Sequence, residues 1–410
     1  MTQTNHPSLF RAAGTVAFAI LLGQLMGLLR GILVAGAFPA AELDAFFAAN
    51  RVSETLFTLI AAGALSSAFI PTFTGLLVKD ENATAWNLAA SLARLLTLTL
   101  VLVAVIAAIL APQIVRYLLA PGFASDPALF TLTVELLRIQ LISAVLFGLG
   151  GLLVGILNAH HIFFIPQLTV AMYQIGQIFG VLVLARWLGI YGLAWGVVIG
   201  SGLYLLIQLP TLLKLLKTEK RPSTVTPKPG ASAHDLNTGY WKLITGNWSL
   251  ITDFKNPLVL QVLRLMGPRV LGASVVQLNF WVNIWLASQM PVGSVAGLAY
   301  GFMLMLMAQA VIAQSVAIAI MPTFSAQFAL GKRDEMRAAL TSALRGVLML
   351  SLPASLGLIL LATPIVAMLY QRGAFDATAV EMTAWALAWY AAGMVGHALY
   401  EVLTRAFYAQ

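Results

Sequence analysis

The chain has 410 residues, of which 60% are apolar and 9% charged, and its mean hydropathy is +0.90. Soluble domains carry about 25% charged residues, so a water-facing surface cannot be built from this set, and a soluble enzyme, a disordered scaffold and a secreted disulfide domain are excluded. Cysteine is absent, which removes disulfides, thiolate zinc sites and cysteine nucleophiles together.

A helix crosses the hydrocarbon core with about 20 mostly apolar residues. In chain order, the runs of that kind fall near 12–37, 45–76, 86–111, 129–157, 164–186, 190–213, 268–289, 293–321, 337–369 and 379–408. They are long, continuous and rich in Leu and Ala, which argues for helices rather than membrane strands. The first run follows a polar start, MTQTNHPSLFR, and is too long for the core of a signal peptide. It is read as a retained span.

Basic residues set the orientation. With the N-terminus in the cytoplasm, the inner segments hold 13 of them: Arg11, Lys79, eight between Lys214 and Arg264, and Lys332, Arg333 and Arg337. The opposite side holds only Arg116, Arg186 and Arg372. This asymmetry accounts for the net charge of +8 with no nucleic-acid partner. The expected location is the bacterial cytoplasmic membrane, multi-pass, with the N-terminus inside.

The one long polar stretch, Lys214 to Asn256, contains KTEKRPSTVTPKPGASAH, a linker without apolar period. Beyond its start, WKLITGNWSLI and NPLVLQVLRLMGPR read as interfacial helices, with Trp241 and Trp248 at headgroup depth. The expected organisation is a six-helix N-terminal lobe over 1–213, a cytoplasmic linker with interfacial helices over 214–267, and a four-helix C-terminal lobe over 268–410.

The two lobes repeat each other at a fixed offset. AFIPTF, with Pro71-Thr72-Phe73, recurs at +251 as AIMPTF, with Pro322-Thr323-Phe324. In the same register Ser91 falls on Ser342, Arg94 on Arg345, Ile114-Val115 on Ile365-Val366, Leu118 on Leu369 and Gly122 on Gly373. Six spans is an even number, so both repeats enter from one side. The fold class is therefore all-α and polytopic, with two parallel-repeat lobes of six plus four helices around a central cavity. By that logic the second lobe is two spans short, and the chain is expected to be C-terminally truncated or a natural fragment.

Charges inside a membrane are costly and each needs a reason. Arg30, flanked by Gly23, Gly27 and Gly31, is the sharpest case: it binds an anionic headgroup, snorkels to the outer interface or pairs with Asp44. Asp44 orders Arg30, gates the outer mouth or serves as a cap or first-turn acid. Arg51 and Glu54, three apart on one helical face, neutralise each other or line the cavity. Arg94 and Arg345 read as snorkelling residues, and Glu135 with Arg138 as a structural pair. His160 and His161 are adjacent and make a poor metal site. His397, Glu401 and Arg405 form an i, i+4, i+8 stripe that could line the second lobe. No catalytic constellation, phosphate-cradling loop or metal motif is present, so no cofactor is expected, and transport would draw on an ion gradient or the membrane potential.

The stretch from Arg30 through ELDAFFAANRVSETLFTLIAAGALSSAFIPTF resembles the MurJ/MviN lipid II flippase family of the multidrug/oligosaccharidyl-lipid/polysaccharide exporter superfamily. LLAPGF at 118–123, GILNAHHIFFIP at 155–166 and LMGPRVLGASVVQ at 265–277 agree with it, and the likeness runs over nearly the whole chain. It implies two six-helix lobes around a cationic cavity, two further C-terminal helices, and export of undecaprenyl-diphosphate-linked precursor by alternating access. The family's arginine near the end of the first helix maps to Arg30 and its acid at the start of the second to Asp44. An earlier first-helix arginine maps to Gln24, a second-helix arginine to Phe57 and a glutamate to Ala62. The eighth-helix arginine maps to Met303, between Phe302 and Leu306.

The substrate-binding candidates are accordingly Arg30, Asp44, Gln24, Arg51 and Glu54, in a membrane transporter rather than an enzyme. The expected function is flipping of lipid II from the inner to the outer leaflet for cell-wall synthesis. The alternatives are export of another undecaprenyl-linked oligosaccharide, or a non-transporting scaffold for cell-wall synthases. Expected partners are the undecaprenyl-diphosphate-linked lipid, membrane lipids and cell-wall synthases.

Overall fold

In hydrocarbon every backbone N–H and C=O must be satisfied within the chain, and a long apolar run does this as a helix. A computed structural model follows that rule: it describes residues 6–59, 66–218 and 256–408, and every regular element among them is helical. Eight of the described helices are long and apolar enough to cross a membrane.

In chain order the elements are α1 (His6–Ala37), α2 (Ala40–Phe57), α3 (Ser66–Val78), α4 (Asn82–Ile109), a short α5 (Ala111–Gln113), α6 (Pro127–Ala159), α7 (Phe164–Phe179), α8 (Ala185–Leu188), α9 (Ile190–Leu206) and α10 (Leu209–Thr218). After the linker come α11 (Pro257–Ala287), α12 (Ser294–Gln309), α13 (Ser315–Ala329), α14 (Arg333–Leu360), α15 (Ala362–Tyr370) and α16 (Ala377–Tyr408). The run expected at 45–76 is α2 and α3, on either side of residues 60–65, which include Ala62 and lie outside the described residues. So do Trp241, Trp248 and most of the polar linker.

Residues 257–267 differ from expectation. They are not a separate interfacial helix but the first turns of α11, which continues through Pro268 to Ala287. The start is locally encoded: Asn256 Oδ1 accepts from Leu258 N at 3.0 Å, and Pro257 sits in the first helical position.

The chain forms two compact units, Met1–Arg30 with Ala48–Gln289, and Gly31–Phe47 with Met290–Gln410. Unit 1 packs Phe69, Phe73, Trp86, Leu88 and Leu92 against Val259, Val262 and Met266 of α11. α7 and the turn that follows it pack closely on α9. A Cβ added to Gly196 would lie 2.9 Å from the Gly180 Cα and 3.0 Å from the Gly176 carbonyl oxygen, so the backbones touch. That is how helices associate where no water drives them together. Unit 2 centres on Tyr300, Tyr370 and Phe375, with Tyr300 and Tyr370 ring centres 4.8 Å apart. The end of α1 joins this core, where Ala374 N donates to the Gly36 carbonyl at 3.0 Å. Large apolar side chains remain exposed on the outer helix faces, among them Leu271, Val275, Met349 and Trp389, a surface suited to lipid rather than water.

The repeat at +251 is present in the backbone of each unit. α4 (Asn82–Ile109) and α14 (Arg333–Leu360) both have 28 residues and begin 251 positions apart. The turns before them place Asp80 at φ 58° and Gly331 at φ 69°, and the helices end on Leu110 and Leu361 in similar conformations. The buried phenylalanines of the repeated motif, Phe73 and Phe324, are both 0% exposed.

Candidate functional site

Arg30 lies in unit 1 at the end of a matched run of contacts between α1 and α7. A Cβ on Gly23 would meet Val170 at 3.4 Å, and one on Gly27 would meet Gln174 Nε2 at 3.3 Å. One turn further, Arg30 Nη1 donates to Gln177 Oε1 at 3.1 Å. Positions 23, 27 and 30 thus follow positions 170, 174 and 177 in parallel, both at helical spacing. Two glycines bring α7 close enough for the Gln177 amide to reach the guanidinium. Arg30 is half-buried.

Gln177 is 1% exposed, and its Nε2 makes no hydrogen bond, as is true of the Gln174 Oε1. The amide that holds the guanidinium therefore has two N–H donors of its own to offer. Tyr173, one turn earlier on α7, lies within electrostatic reach of both Arg30 and Glu54. Sequence reasoning missed these three α7 residues. The signal was present: Tyr173, Gln174 and Gln177 fall at helical spacing in an otherwise apolar span.

Arg51 and Glu54 do neutralise each other: Arg51 Nη1 lies 2.9 Å from Glu54 Oε2. The Arg51 guanidinium also sits 4.6 Å from the centre of the Phe280 ring on α11, a cation–π contact. One turn on, Trp281 Nε1 donates to Thr55 Oγ1 at 2.9 Å, and Gln277 Oε1 is 3.4 Å from the same hydroxyl. The second helix is thereby tied to α11 by a polar seam. Gln24 is exposed, about a quarter-turn round α1 from the Gly23–Gly27–Arg30 face. Phe57, where the family resemblance places an arginine, lies in an aromatic group, its ring 4.8 Å from Phe147 and 6.3 Å from Tyr204.

Asp44 belongs to unit 2 and is 2% exposed. It is neither a cap nor a first-turn acid of its own helix in the ordinary sense, because it serves another one. Gly293 N donates to its Oδ2 at 2.6 Å and Ala296 N to its Oδ1 at 2.7 Å. The position before α12 is Gly293 at φ 98°, a conformation that favours glycine and supplies no capping side chain. A carboxylate 249 residues away in sequence fills that role, satisfying two orphan N–H groups and complementing the positive helix end.

Glu135 and Arg138 do not pair. Glu135 accepts from the Tyr191 hydroxyl, and Arg138 Nε donates to the Ala108 carbonyl at 3.1 Å; neighbouring helices offer each a partner that its own helix face does not. His160 Nδ1 is 2.9 Å from the Ile156 carbonyl, whereas His161 is exposed with φ 59°, so the two point apart. The stripe on α16 breaks into two contacts: His397 Nδ1 with Gln309 Nε2 at 3.1 Å, and Arg405 with Glu401 at 2.9 Å. Arg94 reaches Ser91 Oγ at 3.3 Å.

Comparison with known proteins places this geometry. Residues 34–410 match the family model described as lipid II flippase MurJ. A lipid II flippase MurJ from Burkholderia cenocepacia is 31% identical over 406 residues, covering 98% of this chain and 74% of that protein. A probable lipid II flippase MurJ from Buchnera aphidicola is 28% identical over 400 residues, covering 96% and 72%. Among solved structures, a lipid II flippase MurJ in an inward closed conformation superposes with a TM-score of 0.77 at 24% identity, over 96% of this chain and 75% of that one. An inward-facing multidrug resistance MATE family transporter of the MOP superfamily gives 0.68 at 15% identity, over 94% and 82%. The fold is therefore of the MurJ/MATE transporter kind. With the match running from residue 34 through the DAFF-to-AFIPTF block and α4 to residue 410, the chain belongs to the lipid II flippase MurJ family.

Proposed function

We propose that this chain is a lipid II flippase of the bacterial inner membrane, carrying the precursor from the inner to the outer leaflet by alternating access, with Arg30 gripping the diphosphate. The observation that carries the reading is the family match over residues 34–410. Supporting it is the placement of Arg30 on a glycine-lined face of α1 with the Gln177 amide holding its guanidinium. A guanidinium fork suits phosphate oxygens, and an arginine retained in a span needs such a role. Arg51, already committed to Glu54 and Phe280, acts in this reading as a link between α2 and α11 rather than as a direct ligand. The likenesses do not favour export of another oligosaccharide or a purely scaffolding role.

The test is reconstitution into liposomes with lipid II in one leaflet, followed by enzymatic cleavage of headgroups that reach the other. Wild type should translocate the headgroup, and Arg30→Ala should lose that activity together with lipid II binding in native mass spectrometry. Binding of a different undecaprenyl-diphosphate oligosaccharide in preference to lipid II would reassign the substrate.

A further inference from the structure

Unit 2 contains a cavity that neither Arg30 nor Asp44 lines. It has a volume of about 410 Å³ and lies between the start of α12 and the start of α16, with Met290, Leu298 and Met382 in its wall and Ser294, Glu381 and Trp385 among its lining. That volume is within the usual range for small-ligand sites, about 300–1,000 Å³. The cavity is largely apolar, and its single ionisable lining group is the carboxylate of Glu381.

Glu381 is exposed and has no hydrogen-bond or ion-pair partner among the described residues. Trp385 stands four residues on, hence on the same helical face one turn below. Its indole is 61% exposed, and its ring centre is 5.9 Å from that of Trp389, itself 65% exposed. Met290 and Val292, at the turn into α12, are exposed as well. An apolar cavity lined by an exposed tryptophan, with a second exposed tryptophan one turn further along the helix, suits a lipid near the membrane interface, where indoles concentrate. A carboxylate and an indole lining one cavity, four residues apart on a helix, are the groups that hold an ammonium, by ion pairing and by cation–π attraction. A helix-dipole role for Glu381 would explain an acid near the start of α16 but not the apolar cavity it lines together with Trp385.

We propose that this cavity binds a membrane phospholipid carrying a primary ammonium headgroup. The ammonium sits between the Glu381 carboxylate and the Trp385 indole, and an acyl chain runs into the wall formed by Met290, Leu298 and Met382. The site is separate from the transport reading and does not depend on it.

The experiment is native mass spectrometry of the detergent-purified full chain with phosphatidylethanolamine and with phosphatidylglycerol of identical acyl chains. Wild type should retain phosphatidylethanolamine about 10-fold more tightly, a difference of about 1.4 kcal/mol. Glu381→Gln, which preserves shape, should bring it down to the phosphatidylglycerol level while leaving phosphatidylglycerol and lipid II binding unchanged. Trp385→Leu should weaken it several-fold. Equal retention of the two lipids by wild type overturns the proposal, and so does a preference that survives Glu381→Gln. Should Trp385→Leu fail to fold, the other two comparisons still decide.

Discussion

At the scale of single residues, the informative contacts are those between a charge and an uncharged partner. Gln177 holds Arg30 through one hydrogen bond to a charged donor, a kind worth about 1.5–3 kcal/mol. Gln177→Leu should therefore leave the fold intact but remove this contact to the guanidinium, weakening lipid II binding by about 10-fold in native mass spectrometry. Gln177→Asn, one methylene shorter, should weaken it less, which a purely packing role would not produce. Asp44 makes the complementary case, a carboxylate engaged by two backbone N–H groups. Asp44→Ala should strand the start of α12 and cost unit 2 about 2–3 kcal/mol, read as a lower melting temperature in detergent. Asp44→Asn keeps one acceptor and should lose about half of that. Both residues were legible in the sequence as sites of interest, Asp44 directly and Arg30 through its glycine neighbours. Their partners were not, because a contact 147 or 249 residues away leaves no mark on local spacing. The same limit explains why Glu135 and Arg138 look like a pair on paper and are not one in the fold.

At the scale of elements, the repeat was the most legible feature, because it rests on a register rather than on any one residue. The offset of 251 read from Pro71-Thr72-Phe73 and Arg94 reappears in the bounds of α4 and α14 and in the left-handed turn residues Asp80 and Gly331. The same turn is built with aspartate in one unit and glycine in the other. A left-handed residue other than glycine costs about 1–2 kcal/mol, less for Asp and Asn, whose short side chains bond locally. Gly331→Val should thus destabilise by about 1–2 kcal/mol, Asp80→Val by a similar amount, and Asp80→Gly should be near neutral. Thermal melts of the purified variants check all three, and an indifferent Gly331→Val would show that the turn relaxes. What composition concealed at this scale was continuity. The break expected before Pro268 is absent because α11 starts at a strong cap and its proline falls inside a helix already under way.

At the scale of the whole molecule, the apolar helices settle that the protein resides in a membrane, whereas its sidedness rests on the distribution of lysine and arginine. Thirteen basic residues fall on one set of segments and three on the other, an asymmetry that orients membrane proteins through their short loops. The chain contains no cysteine, so a single introduced thiol reports its own side without a background to remove. Lys79, Arg333, Ser125 and Thr378 are all exposed, and the charge asymmetry of the sequence puts the first two on the basic side and the last two on the other. In spheroplasts treated with a membrane-impermeant maleimide, Ser125→Cys and Thr378→Cys should label at once. Lys79→Cys and Arg333→Cys should label only after permeabilisation. The inverse pattern would turn the protein over in the bilayer, placing Arg30 near the inner leaflet. A diphosphate gripped there would mark the loading end of the cycle rather than the release end, so the labelling fixes which half of transport Arg30 serves.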